Sequence, residues 1–170
     1  MSPVAILVGA PGAGKSTVGR ALAKALGVTF RDTDADIEAA AGTAIGDIFI
    51  NHGEEHFRAL ETAAIARAIA EHDGVLALGG GAIMRAENRA LLAGVPVVWL
   101  EISLAEAVKR VGMNQARPLL LGNVRGRMMS LLEERTPIYE AVADHRVKTD
   151  NRSIDDVVTA VIAALGVTHD

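Results

Sequence analysis

Gly9-Ala10-Pro11-Gly12-Ala13-Gly14-Lys15-Ser16, continued by Thr17, has the spacing GxxxxGK[ST]. Glycines so placed let successive backbone N–H groups turn inward around phosphate oxygens, and a helix starting there adds positive potential from its N-terminus. Gly12, Ala13, Gly14, Lys15, Ser16 and Thr17 are therefore the candidate phosphate cradle. Lys15 would reach the β- and γ-phosphates of a bound nucleotide, and the Ser16 hydroxyl would face Mg²⁺. Such a loop serves hydrolysis, phosphoryl transfer or sensing, so the residues on the acceptor side must decide.

The run VLALGGG, Val75–Gly81, lacks the acidic residue that often helps hold Mg²⁺ in such enzymes, and Asp32 is the nearest substitute, acting through metal-bound water. Asp34, two residues on, could orient an alcohol or accept its proton; the lesser alternative for Asp-Thr-Asp is a helix-capping pair. The Arg58 guanidinium suits bidentate recognition of a carboxylate, or else forms a surface pair with Glu61. Arg117 has the setting of a lid arginine that steadies transition-state charge, or of a solvated loop residue. Arg135, just before Thr136-Pro137, is a further cation, of the kind commonly found near a helix C-terminus. Gly79-Gly80-Gly81 implies close backbone approach to something.

The elements that must position these residues can be read from periodicity and punctuation. Val4–Val8 is a short apolar run ending at glycine, which predicts a buried parallel strand. A helix over Thr17–Leu26 ends at Gly27, and a strand over Val28–Arg31 runs into Asp32 and Asp34; if still extended there, the chain turns both carboxylates to one side. Short helices follow over Ala35–Ala41 and Ile45–Ile50, then a long one over Glu54–Glu71 with an apolar face of Phe57, Leu60, Ala64, Ile65, Ala68 and Ile69, leaving Arg58 and Glu61 off that face. Strands over Val75–Leu78, Val97–Glu101 and His145–Thr149 alternate with helices over Ala86–Ala93, from the Ser103/Glu106 capping box to Val111, over Val124–Ala143, and from Ser153 to Leu165. The stretch from Gly112 to Asn123 reads as a mobile loop. Alternating strands and helices predict a parallel sheet with helices on both faces and ligands at the strands' carboxyl ends.

The 170 residues, half of them hydrophobic, suit one compact domain over 1–170. A net charge of −4 without a Lys/Arg-rich block argues against nucleic acid or an anionic membrane surface as partner. The absence of cysteine excludes thiolate chemistry and fits a reducing cytoplasm. Neither a secretory signal nor an apolar run of about 20 residues is found, so a soluble protein is expected.

GAPGAGKST at 9–17, DTDADIE at 32–38, IFINHGEEHFRALE at 48–61, LGGGAI at 78–83, RPLL at 117–120 and ERTPIYEAVA at 134–143 together resemble the shikimate kinase family, over essentially the whole chain. The phosphate loop alone would mark only a superfamily; the other motifs at these separations narrow it. The resemblance implies a fold like that of nucleoside monophosphate kinases: a three-layer α/β/α arrangement around a five-stranded parallel sheet of order 2-3-1-4-5, with a substrate-binding region near 34–61 and a lid near 112–123. It implies transfer of the γ-phosphate of ATP to the 3-hydroxyl of shikimate, with Mg²⁺, giving shikimate 3-phosphate and ADP on the route to aromatic amino acids.

On this resemblance Asp34, Arg58, Gly80 and Arg135 bind shikimate, the arginines at its carboxylate and Asp34 at its hydroxyls, with Gly79 and Gly81 alongside. Lys15 and Arg117 steady the phosphoryl group in flight, Ser16 and Asp32 serve Mg²⁺, and Phe49 and Phe57 form an apolar wall behind the ring. Ile154 stands where the family often has a proline packed on adenine, and the lid is slightly short; Arg110 and Arg152 are the candidates on the nucleotide-base side. A monomer is expected. The rivals are a kinase of another hydroxylated acid, such as gluconate, and a nucleotide sensor that has lost transfer.

Overall fold

Ala5, Ile6, Leu7 and Val8 are all withdrawn from solvent, as a strand must be when helices cover both faces of its sheet. A computed structural model describes residues 2–113 and 123–166. In it the chain runs β1 (Ala5–Val8), α1 (Lys15–Leu26), β2 (Phe30–Asp32), α2 (Thr33–Ala41), α3 (Ile45–His52), α4 (Glu54–Glu71), β3 (Val75–Ala77), a 3₁₀ turn (Ala82–Met84), α5 (Ala86–Leu91), β4 (Val97–Glu101), α6 (Leu104–Met113), α7 (Val124–Val142), β5 (His145–Lys148) and α8 (Ile154–Leu165). The five strands form one parallel sheet in the order β2-β3-β1-β4-β5, as expected.

Side chains alternate across the central strands, so each strand feeds two cores. Leu7, Val98 and Leu100 pack with Leu22 of α1 and Val161 of α8. Ile6, Val8, Leu76, Leu78 and Trp99 pack with Ile65 of α4 and Tyr139 of α7 on the opposite face. A third, smaller cluster of Ile37, Ile48, Phe57 and Ala64 ties α2 and α3 to α4, making a helical annex beside the sheet. Each edge strand bears an ion-paired arginine. On β2, Arg31 meets Asp36 at 2.7 Å and Glu71 at 3.1 Å; on β5, Arg146 pairs with Glu101 and Glu140 and lies 4.5 Å from the centre of the Trp99 ring.

Several boundaries differ from those that periodicity predicts, in ways that matter for the site. α1 begins at Lys15 rather than Thr17, so Lys15 and Ser16 stand in its first turn. β2 lies at Phe30–Asp32 rather than Val28–Arg31, and α2 starts at once with Thr33. α6 continues to Met113, two residues into the expected loop; the rest of that loop, residues 114–122 including Arg117, falls outside the described residues. Arg135 lies within α7, not near its end, because the helix passes through Pro137. Among the described residues no helix is long and apolar enough to cross a membrane.

Candidate active site

The carboxyl ends of β1, β2 and β3 open on one rim, and the chain places its least bulky residues there. Gly12 and Gly14 have φ of 86° and 89°, a left-handed conformation that favours glycine, and Gly14 caps α1 with its carbonyl accepting from Val18 N at 2.8 Å. With no acidic side chain in the first turn of α1, its free N–H groups face the rim. Lys15 folds back, its Nζ donating to Gly9 O at 2.7 Å and Ala10 O at 3.1 Å. The Ser16 hydroxyl donates to Asp32 Oδ2 at 3.0 Å. This hydroxyl–carboxylate pair is a hard oxygen donor set suited to Mg²⁺, which takes one or two protein ligands beside phosphate and water. Among the described residues no cluster of three acidic or histidine side chains could hold a metal by itself.

The two aspartates do different work. Asp32 caps α2, its Oδ1 accepting from Asp34 N at 2.9 Å, so the capping alternative holds for Asp32. Because α2 starts at Thr33, Asp34 is helical and not on an extension of the strand. Its Oδ1 is buried without a hydrogen-bond partner, as is Thr33 Oγ1. Burial pushes the Asp34 carboxyl up to about 6, the charges of Asp32 and Glu61 add to the rise, and Lys15 opposes it. Burial likewise draws the Lys15 ammonium down to about 8, with Asp34 and Asp32 pulling it back and Arg135 pushing it lower.

The need for three glycines in a row becomes plain once the facing side chains are considered. A Cβ built on Gly79 would lie 2.8 Å from Asp34 Oδ1; on Gly80, 3.1 Å from Arg135 Nη1; on Gly81, 2.7 Å from the Arg58 guanidinium. Three charged groups, brought from α2, α7 and α4, thus press against one bare stretch of backbone. Its carbonyls are satisfied: Gly79 O accepts from Ala82 N and Gly81 O from Met84 N, both at 3.1 Å, and Gly80 O accepts from the Tyr139 hydroxyl at 2.8 Å.

Arg58 does pair with Glu61, at 2.7 Å, but not on the surface: Glu61 is 1% exposed. Apolar periodicity leaves Glu61 off the buried face of α4, yet it belongs to the buried stripe Phe57, Glu61, Ala64, Ile65, Ala68. An acidic residue four places after a buried Phe and four before a buried Ile is the signal that could have found it. Burial raises the Glu61 carboxyl and Arg58 opposes the rise. Tyr139, which supports the loop, is a second residue that sequence reasoning misses. Phe57 is buried in the annex and stacks at 4.7 Å on Phe49, which remains 37% exposed; neither lines the main crevice.

That crevice, about 640 Å³, runs from Pro11–Val18 past Asp32, Asp34, Gly79 and Gly80 to Arg110, Thr149, Arg152 and Ile154. Arg110 Nη1 donates to Gly12 O at 2.8 Å, and Arg110 and Arg152, the two expected base-side arginines, both line the crevice. Ile154 is exposed at their side.

A family model described as shikimate kinase matches residues 11–166. The chain belongs to the shikimate kinase family. The shikimate kinase of Thermobifida fusca is 52% identical over 99% of this chain and 98% of that protein. The shikimate kinase from Acinetobacter baumannii, solved in complex with shikimate, superposes with a TM-score of 0.87 at 36% identity, over 95% of this chain and 91% of the other. A gluconokinase from Sinorhizobium meliloti shares the fold alone, with a TM-score of 0.62 at 19% identity over 97% and 92% of the two chains. The activity is the family's: ATP-dependent phosphorylation of the 3-hydroxyl of shikimate, giving shikimate 3-phosphate and ADP, in the biosynthesis of aromatic amino acids.

The raised Asp34 makes the folded state bind more protons than the unfolded one between about pH 3.8 and 6, so its charge costs stability as pH climbs through that window. Asp34→Asn is therefore expected to raise the melting temperature at pH 7.5, by ~2–4 °C for roughly 1 kcal/mol relieved, and to lose that advantage by pH 4. Scanning calorimetry at the two pH values checks it.

Proposed function

We propose that this crevice carries the reaction with Asp34 as the group that orients and deprotonates the 3-hydroxyl, Arg58 and Arg135 holding the shikimate carboxylate across Gly79–Gly81, and Gly12–Thr17 holding the phosphates of ATP. The observation that carries this reading is the apposition of Asp34, Arg135 and Arg58 to three consecutive glycines, because only a bare backbone lets one carboxylate and two guanidinium forks converge so closely on one stretch of chain. A forked guanidinium recognises a carboxylate through two parallel bonds, and two such forks facing the acceptor favour an acid over a neutral sugar. The sensor alternative leaves a buried, unpartnered carboxylate oxygen without a purpose.

Lys15 leaves the Gly9 and Ala10 carbonyls for the phosphates, and the incoming negative charge holds its proton more firmly. Asp34, poised near 6, is ionised at neutral pH yet basic enough to take a proton as the alcohol attacks. Ser16 and Asp32 are the residues that would hold Mg²⁺, Asp32 through water, and the ion would supply charge neutralisation for the phosphoryl transfer. Arg110 and Arg152 flank the nucleotide base, with Ile154 as the apolar surface, and Arg117, which lies outside the described residues, steadies the transferring phosphoryl group. Phe49 and Phe57 back the substrate-binding region of residues 34–61. The whole works as one domain, 1–170, in the cytoplasm, as a monomer that binds neither nucleic acid nor membrane; the ion-paired arginines on both sheet edges support the monomer.

Two measurements test the assignment. Gly81 has φ of −96°, which alanine adopts without strain, so Gly81→Ala should fold normally while its methyl displaces Arg58. The KM for shikimate is expected to rise about tenfold with the KM for ATP unchanged; an unmoved shikimate KM removes Arg58 from the pocket. The pH profile of kcat/KM should be a bell with limbs near 6 and near 8, from Asp34 and Lys15 of the free enzyme. In kcat the alkaline limb should move upward, since bound phosphates hold the Lys15 proton. Loss of the acid limb in Asp34→Asn separates that limb from the ionisation of ATP itself.

A further inference from the structure

The 3₁₀ turn after the triple glycine has all three of its carbonyls capped by side chains of α5. Asn88 Nδ2 donates to Ala82 O at 2.9 Å, and Arg89 Nη1 donates to Ile83 O at 2.8 Å and Met84 O at 3.0 Å. Through Ala82 N and Met84 N the same turn holds the carbonyls of Gly79 and Gly81. So α5 grips the turn, and the turn grips the glycine loop.

Asn88 also reaches the other way. It is 1% exposed, and its Oδ1 accepts from the Thr62 hydroxyl of α4 at 2.7 Å. Thr62 stands one turn beyond Arg58 and faces the Arg58 carbonyl at 3.1 Å. A buried amide costs free energy unless both its arms are bonded, and asparagine is a poor helix former. An apolar residue here would leave the Ala82 carbonyl without its side-chain donor and the Thr62 hydroxyl without this acceptor, so the amide supplies bonds as well as packing. What the amide does is join the two walls between which Arg58 and Gly81 meet, one arm to each wall. The clearance there is smaller than a methyl group, since a Cβ on Gly81 would stand 2.7 Å from Arg58 Nη2. Fork-to-carboxylate geometry tolerates only a few tenths of an ångström of drift before bonds weaken.

We infer that Asn88 and Thr62 form a positioning latch that fixes the spacing between Arg58 on α4 and the Gly79–Gly81 loop, and so sets affinity for the acceptor's carboxylate without touching it. The latch rests on the reading that Arg58 meets that carboxylate.

Thr62→Val removes the hydroxyl with little change of shape, Thr62→Ser keeps it, and Asn88→Asp retains the acceptor while setting a carboxylate against the Ala82 carbonyl. The shikimate dissociation constant, by titration calorimetry, and its KM are expected to rise about tenfold in Thr62→Val and in Asn88→Asp, with the ATP KM within about twofold of the parent and Thr62→Ser close to it. The double variant should lose less than the product of the single losses, because both changes break one latch. If Asn88→Asp does not fold, the Thr62 pair decides alone. Arg58→Lys is measured alongside. An unmoved shikimate constant in that variant overturns the acceptor-pocket reading itself. Weakening in Arg58→Lys but not in Thr62→Val overturns the latch, and so does equal weakening for ATP and shikimate that follows the urea midpoint, the mark of general loosening.

Discussion

Charge held away from water is the condition on which this site is built. Lys15 and Asp34 line the crevice, Glu61 and Arg58 pack against the glycine loop at its edge, and each is displaced or paired because bulk solvent no longer serves it. The displacements run toward each other: the acid rises to about 6 and the base falls to about 8, so both change protonation close to neutrality. A pocket of fully solvated ions would be easier to fold and would have less to offer a reacting alcohol and phosphate. The unpartnered Asp34 Oδ1 is the clearest sign that the resting protein keeps a carboxylate in an unfavourable setting.

The helical annex makes this tolerable by giving the charges fixed walls. The third apolar cluster holds α2 and α3 on α4, and α4 is in turn anchored in the main core by Ile65 and Ala68. Arg58 and Glu61 thus ride on a helix whose far half is packed into the main core. Across the crevice the glycine loop is fastened by Tyr139 from α7 and by α5 through the 3₁₀ turn. Preorganisation here is a matter of backbone carbonyls being spoken for before any substrate arrives.

Much of this is legible in the residues. The phosphate loop and the parallel sheet follow from spacing and from short apolar runs, because few turns other than a phosphate cradle put so many glycines and a lysine between a strand and a helix. The strand order comes from the family resemblance instead, since alternation alone does not rank the strands. The pairing of Arg58 with Glu61 is also legible, but its burial is not: a salt bridge at i,i+3 looks the same in sequence whether it faces water or core. Asp32 and Asp34 read as neighbours on a strand, whereas the helix begins sooner and sends them to separate tasks, since the cap that ends a strand and the turn that begins a helix use the same letters. Asn88 and Tyr139 give no signal, because what they hold are main-chain carbonyls, six residues away for Asn88 and 59 for Tyr139, and backbone has no identity to read.

The arginines on the two outermost strands have a bearing on how the molecule behaves in a crowded solution. A parallel sheet left open at both ends offers rows of unsatisfied amides to any passing chain. Arg31, locked by Asp36 and Glu71, and Arg146, lying over Trp99 between Glu101 and Glu140, put bulky ionic clusters at those ends. Another strand docking there would have to strip those ions of their partners, which makes growth of the sheet into fibrils unfavourable from either side.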